Sequence, residues 1–218
     1  MTKFAALCLS LLMACAPVNA AALEPEPLDA GSQEPTVAHI MFEGYVTEES
    51  AAEFIASMDA AAQMKAVSIL IEINSGGGAM GAGFKMSKAI ERSEIPVTCV
   101  VDGEADSMAF YILQSCPIRL ATPRSRLLAH KPVFFLGTNT PLSLRALKDL
   151  VANMETLAAS ANEHLCGRLI NPKSCKANVM AGDWWMTAEA ALKLGAVDQL
   201  VPSVKSVTDV LRAAAVQP

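Results

Sequence analysis

The chain has 218 residues, a formal net charge of -5 and 52% hydrophobic residues. That length suits one domain with a sizeable core. The acidic balance excludes the basic face that phosphate binding needs, so no nucleic-acid partner is expected.

Residues 1–20 open with Lys3, continue through the apolar run Phe4–Ala16 and end in Val18-Asn19-Ala20. A positive start, a short apolar core and small residues before Ala21 read as a secretory signal peptide, so an exported protein, periplasmic or secreted, is expected. A buried N-terminal helix is the alternative. Leu12-Met13-Ala14-Cys15 also resembles a lipoprotein box, which would place a lipid anchor on Cys15. Removal of residues 1–20 loses one lysine and no acid, moving the formal charge from -5 to -6. No other apolar run reaches membrane-spanning length free of charges and helix breakers.

Residues 21–36 are rich in Pro and acids and are expected to form a flexible leader. The domain is expected at residues 37–203, with residues 204–218 as a C-terminal tail. Val37–Tyr45 reads as a strand, and Ala51, Phe54, Ile55 and Met58 fall on one face of a following helix. Ala66–Ile73 is a continuous apolar run, as in a strand covered on both faces. Asn74–Gly83 breaks it. Phe84–Ser93 reads as helix, stopped by Pro96 before the strand Val97–Val101. A helix follows over residues 107–115, then short strands at Ile118–Thr122 and Arg126–His130. Thr140-Pro141 supplies an N-cap and a first-turn proline for the longest helix, which runs to about Leu169. Residues 171–182 carry no distinctive pattern. Thr187 caps a short helix that Gly195 ends, and Ala196–Val201 is a last strand. Strands alternating with helices imply a parallel sheet and an α/β fold.

Four cysteines lie beyond residue 20: Cys99, Cys116, Cys166 and Cys175. An even number in an exported chain is compatible with disulfides, and four allow three pairings. Cys166–Cys175 is the most local pair. Cys99 and Cys116 sit on a strand and at the end of the next helix, where they can meet. Cys99 as a plain buried apolar residue is the alternative.

Three stretches carry groups suited to chemistry. Asn74-Ser75-Gly76-Gly77-Gly78 follows a buried strand. Its glycines permit positive φ, and its N–H groups at a helix mouth can hold an oxyanion; a tight strand-to-helix turn is the plainer reading. In Gly103–Phe110, Ser107 stands where a strand turns into a helix. The N–H of Met108 has no acceptor in that helix's first turn. Ser107 or Asp106 as a helix cap is the plainer reading. In Leu127–Pro132, His130 ends an apolar strand. His39 and His164 are the other histidines, and neither adjoins an obvious turn. No cluster at metal-ligand spacing is present, so no metal or other cofactor is expected.

In order and spacing these stretches resemble the Clp protease proteolytic subunit family, within the wider Clp/crotonase superfamily, over residues 37–202. The family's Ile-Asn-Ser-Pro-Gly-Gly corresponds to Ile73–Gly78. Its Gly-Gln-Ala-Ala-Ser-Met-Gly corresponds to Gly103–Ala109. Its Ser-Arg stretch ending in His-Gln-Pro corresponds to Ser125–Pro132. Its Asp before Ser-Ala, a helix, Gly and Asp corresponds to Asp183 through Asp198. The resemblance implies repeated ββα units with a parallel sheet and a long helix after the histidine. It implies Ser107 as nucleophile, His130 as general base and Asp183 as the residue orienting it. The N–H groups of Gly78 and Met108 would form the oxyanion hole. It also implies a peptide or unfolded-protein substrate, and a homo-oligomer built through the long helix.

Gly76 stands where the family has Pro, and Asp106 where it has a small residue. Clp peptidase rings work with ATP-driven unfoldases in the cytoplasm. An exported chain is therefore expected to act without a Clp ATPase. Signal peptide peptidases of the same superfamily pair Ser with Lys, but Lys131 should point away from His130's face. A serine endopeptidase is thus the expected activity. A crotonase-like acyl-CoA enzyme and a catalytically inactive binding protein on the same fold are the alternatives.

Overall fold

The computed structural model describes residues 36–134, 141 and 143–216. The signal peptide, Cys15 and the leader up to residue 35 lie outside the described residues. The elements run β1 (Val37–Val46), α1 (Glu48–Gln63), β2 (Ser68–Gly78), α2 (Met80–Glu91), β3 (Val97–Asp106), α3 (Met108–Ser115), β4 (Ile118–Ala121), β5 (Arg126–Ala129), α4 (Leu144–Gly167), α5 (Pro172–Ala181), β6 (Trp184–Thr187), α6 (Ala188–Leu194), β7 (Gln199–Leu200) and α7 (Val204–Ala215). The fold is α/β with a mainly parallel sheet of 7 strands.

The sheet order is β1-β2-β3-β4-β7, and β5 pairs with β3 off that path. Strand β3 pairs with β2 along one edge and serves two parallel partners along the other. Its Thr98–Val101 half pairs with β4, and its Glu104–Asp106 end pairs with β5. The split falls at Gly103, whose φ is 122°. A Cβ there would run into the Asn74 side chain, and Asn74 Oδ1 accepts the Glu104 N–H at 3.2 Å. Glycine is thus required where the strand changes partner. The turn between β4 and β5 is held by Ser125, whose hydroxyl donates to the Val101 carbonyl at 2.7 Å, and by Thr122, which donates to Asp102 at 2.9 Å. Strand β6 closes this end antiparallel to β5.

Helices α1, α2 and α3 bury one face of the sheet in a core that includes Phe42, Phe54, Ile71, Met86 and Phe110. Residues 204–218, expected as a tail, instead supply α7. Its Val207 joins Leu70, Val100, Leu120 and Val201 in a second cluster, and Ser203 and Ser206 cap it reciprocally. Helix α4 starts at Leu144 with Ser143 as N-cap, whereas the expected cap, Thr140, lies outside the described residues. Residues expected to be patternless form α5, capped by Asn171 with Pro172 in its first turn.

Two disulfides, Cys99–Cys116 and Cys166–Cys175, tie β3 to the end of α3 and α4 to α5. A third tie is polar. Arg119 on β4 donates to Asp198 Oδ1 at 2.6 Å and to Gln114 on α3 at 2.6 Å. Its guanidinium is 5% exposed. Burial pushes the Asp198 carboxyl up, but hydrogen bonds from Arg119 outweigh it and hold the group below its ordinary value.

Arg119 is buried whereas Asp198 is exposed, so removing Asp198 leaves the buried guanidinium short of a partner. Asp198→Ala should cost about 1–3 kcal/mol in denaturant unfolding at neutral pH. Because the Asp198 value is depressed, its stabilisation is present above the ordinary carboxylate range and lost as pH falls. The gap to wild type should therefore narrow below about pH 4. Cys99–Cys116 spans a separation of 17 residues, and replacing both cysteines by serine should cost about 3 kcal/mol in the same measurement.

Candidate active site

The pairing of β3 with β5 brings two chain segments together. Ser107 follows β3 directly, and its N–H donates to the Leu128 carbonyl on β5 at 2.8 Å. Its φ of 55° with ψ of -114° is a conformation that L-residues avoid. The strain turns the side chain out of the strand and toward β5. Ser107 Oγ and His130 Nε2 lie 2.8 Å apart. His130 Nδ1 lies 2.8 Å from the Lys131 carbonyl oxygen. A carbonyl can only accept, so Nδ1 carries the proton and Nε2 is free to accept from the Ser107 hydroxyl. Of the other histidines, His39 pairs with Glu72, and His164 contacts Ser115 at the far end of α3.

Asp183 is not brought onto the imidazole. It is exposed, immediately before β6, and His130 Nδ1 faces the Lys131 carbonyl instead. Lys131 is itself exposed and outside the pocket.

The glycine run lies directly over Ser107. Gly77 is buried with φ of 82°. A Cβ at Gly77 would stand 2.8 Å from the Met108 nitrogen and from Ser107 Cβ. At Gly78 it would collide with the Val46 carbonyl. Side chains are excluded at both positions, so only backbone lines that side of the site. Gly77 N–H is committed to Ser75 Oγ at 3.2 Å. Gly78 and Met108 both line the pocket.

That pocket has a volume of about 350 Å³. Tyr45 at the end of β1, Leu128, Pro132 and Val133 form one side; Tyr111 on α3 and Ala161, Asn162 and Leu165 on α4 form the other. No local pattern in the sequence marks these lining residues, because they converge from four separated elements. Tyr111 stacks on His164 with ring centroids 4.1 Å apart, fixing α4 against α3. Burial pushes the His164 imidazole down from its ordinary value. A larger groove of about 940 Å³ between α1 and α2 carries Lys65, Lys88 and Arg92 but no histidine.

Asp106 does not cap α3, which has no side-chain cap bond. It is buried, 5% exposed. Burial and then the neighbouring Glu104 raise its carboxyl above the ordinary value, against the pull of Arg126 and His130. Arg126 binds Glu104 through Nε and Nη2 and lies over the Trp185 ring.

A serine hydroxyl within hydrogen-bond distance of an imidazole nitrogen, on a strained strand-to-helix turn beneath backbone N–H groups, can be deprotonated as it attacks a carbonyl. Comparisons with known proteins give the family. A family profile described as Clp protease matches residues 32–204. The ATP-dependent Clp protease proteolytic subunit 1 of Protochlamydia amoebophila is 32% identical over 148 residues, covering 64% of this chain and 68% of that one. The protein of the same description from Chlamydia muridarum is 31% identical over 169 residues, 74% of this chain and 85% of that one. The chain belongs to the Clp protease family, a family of peptidases.

Proposed function

We propose that this protein is an exported serine endopeptidase that cleaves short or unfolded polypeptides without a Clp ATPase. The observation that carries the reading is the 2.8 Å contact between Ser107 Oγ and His130 Nε2, on a residue held at φ 55°. Strain of that kind persists where the surrounding fold enforces it, and it clusters at functional sites.

In this reading Ser107 Oγ attacks the scissile carbonyl while His130 Nε2 takes the hydroxyl proton. The Lys131 carbonyl holds the imidazole in the tautomer that can do so. Negative charge develops on the carbonyl oxygen, where the N–H groups of Gly78 and Met108 stabilise it. His130 returns its proton to the leaving amine, and water, activated by the same imidazole, releases the acyl group. Two disulfides suit a chain that folds in an oxidising compartment, which supports export.

Self-association through α4 belongs to the same reading. Leu144, Leu147 and Val151 are exposed on that helix and, with Met154, follow 3–4–3 spacing along one stripe. Such a stripe gains from burial against another copy.

The test is covalent labelling of the full chain by a fluorophosphonate, with the modified residue identified by peptide mass. Wild type should be modified at Ser107, and Ser107→Ala should not. His130→Ala should label about 10²-fold or more slowly while keeping the wild-type circular dichroism. Folded wild type that stays unmodified would sink the peptidase reading in favour of a binding protein on this fold.

A further inference from the structure

Asp106 has no task in the mechanism above, yet it is the costliest side chain at the site. Its Oδ1 is buried without a hydrogen-bond partner, which costs free energy that nothing local returns. Its Oδ2 stands 3.7 Å from Arg126 Nη2, and that guanidinium is already committed to Glu104. Arg126 is also largely exposed, with 57% of its side chain accessible against 8% for Asp106. The cation is therefore screened by water, and the carboxylate is not.

Strand alternation defines what the carboxylate faces. On β3, Cys99, Val101 and Ala105 enter the core beneath the helices, so Glu104 and Asp106 take the opposite face. On β5, Leu127 and Ala129 enter that same core, leaving Arg126, Leu128 and His130 on the face of Asp106. Asp106 pairs with Leu128 in register, two residues before His130. Both Asp106 and His130 line the pocket.

We propose that Asp106 is a positioning residue, whose carboxylate supplies the fixed negative charge that stabilises the His130 imidazolium formed as Ser107 is acylated. This rests on the serine-peptidase reading. It gives the buried, unpartnered oxygen a use: the compensating positive charge appears during the reaction. It also assigns the electrostatic part of the role expected of Asp183, which stands exposed before β6, while the Lys131 carbonyl sets the tautomer.

The other charged and titratable groups around this face are few. Glu104 on β3 acts in the same sense as Asp106 but is neutralised by Arg126 on β5. Tyr45 from β1 and Tyr111 from α3 line the pocket, and burial pushes the Tyr111 phenol up from its ordinary value. Lys131 is exposed.

The experiment is the pH dependence of fluorophosphonate reaction at Ser107 in the full chain, for wild type, Asp106→Asn and Asp106→Ala, with melting temperatures measured alongside. Loss of the negative charge makes the imidazolium easier to deprotonate. The acid limb of the profile should move to lower pH by about 0.5–1 unit in both variants. The plateau rate should fall by about 3- to 10-fold, because the base is weaker. Stability should move the other way. Burial raises the Asp106 carboxyl, so its contribution is favourable in acid and lost as pH rises through its folded value. Asp106→Asn should therefore melt higher than wild type at pH 7, with the gain fading in acid.

An unmoved acid limb in both variants overturns the inference, as does a limb that moves in Asp183→Asn alone. Variants that react slowly because they fail to fold, or melt lower than wild type at pH 7, make Asp106 structural and overturn it too. If wild type itself does not react at Ser107, the peptidase reading falls and this inference falls with it.

Discussion

The site depends on one edge of a strand taking two parallel partners in turn. Had β3 continued along β4, the chain beyond Val101 would have kept a neighbour only on its β2 edge. By releasing β4 at Gly103 and taking up β5, it gains the register Glu104–Arg126, Ala105–Leu127 and Asp106–Leu128. Ser107 is the first residue past that ladder and His130 the first past β5. Their contact is thus a property of register: a slip by one residue would turn every side chain of the strand to the opposite face. Of the polar groups that hold the exchange, Asn74 and Ser125 bind backbone atoms of β3, and Thr122 binds the Asp102 side chain. None of them touches the nucleophile, yet each constrains where it stands.

Most of the sheet was legible from the chain because parallel strands are buried on both faces and read as unbroken apolar runs. Val97–Val101 and Ala66–Ile73 are of this kind. The short helix Ala188–Leu194 was legible through Thr187 and Gly195, whose cap geometries the structure shows directly. Helix α7 was not. Only Val207 is buried along it, so its apolar side is thin, and its start rests on the reciprocal caps of Ser203 and Ser206. Helix α5 was missed although Asn171-Pro172 is a start signal, because its interior lacks a periodic apolar face and its buried residues are Cys175 and Val179.

At the site, residue type and position drew attention to Ser107 and His130, the family resemblance gave them roles, and the structure joins them. Asp183 was marked by the resemblance alone and is not joined. Ser107 and His130 are each tied to a paired strand, whereas Asp183 occupies the link between α5 and β6, where no ladder dictates its direction. Asp106 shows the opposite limit. Its type suggested a cap, but a residue at the end of a central strand is placed by the sheet before the helix begins. Sheet alternation outweighs capping there, and the carboxylate goes where no N–H can reach it.

Helix α4 divides into two halves with different demands. Its C-terminal part builds one side of the pocket through Ala161, Asn162 and Leu165. That part is anchored three ways. Cys166 is joined to Cys175, His164 stacks on Tyr111, and Arg168 just beyond it donates to the carbonyls of Gln114, Cys116 and Pro117. Those carbonyls lie at the end of α3, the helix that begins at Met108. The wall of the pocket and the turn that carries Ser107 are therefore fixed to the same short helix. Among the described residues the N-terminal half of α4 has no such anchors, and Leu144, Leu147 and Val151 stay exposed on it. That half continues from the pocket wall along a helix clamped at its far end. The geometry around Ser107 is thereby set by contacts that the chain makes with itself.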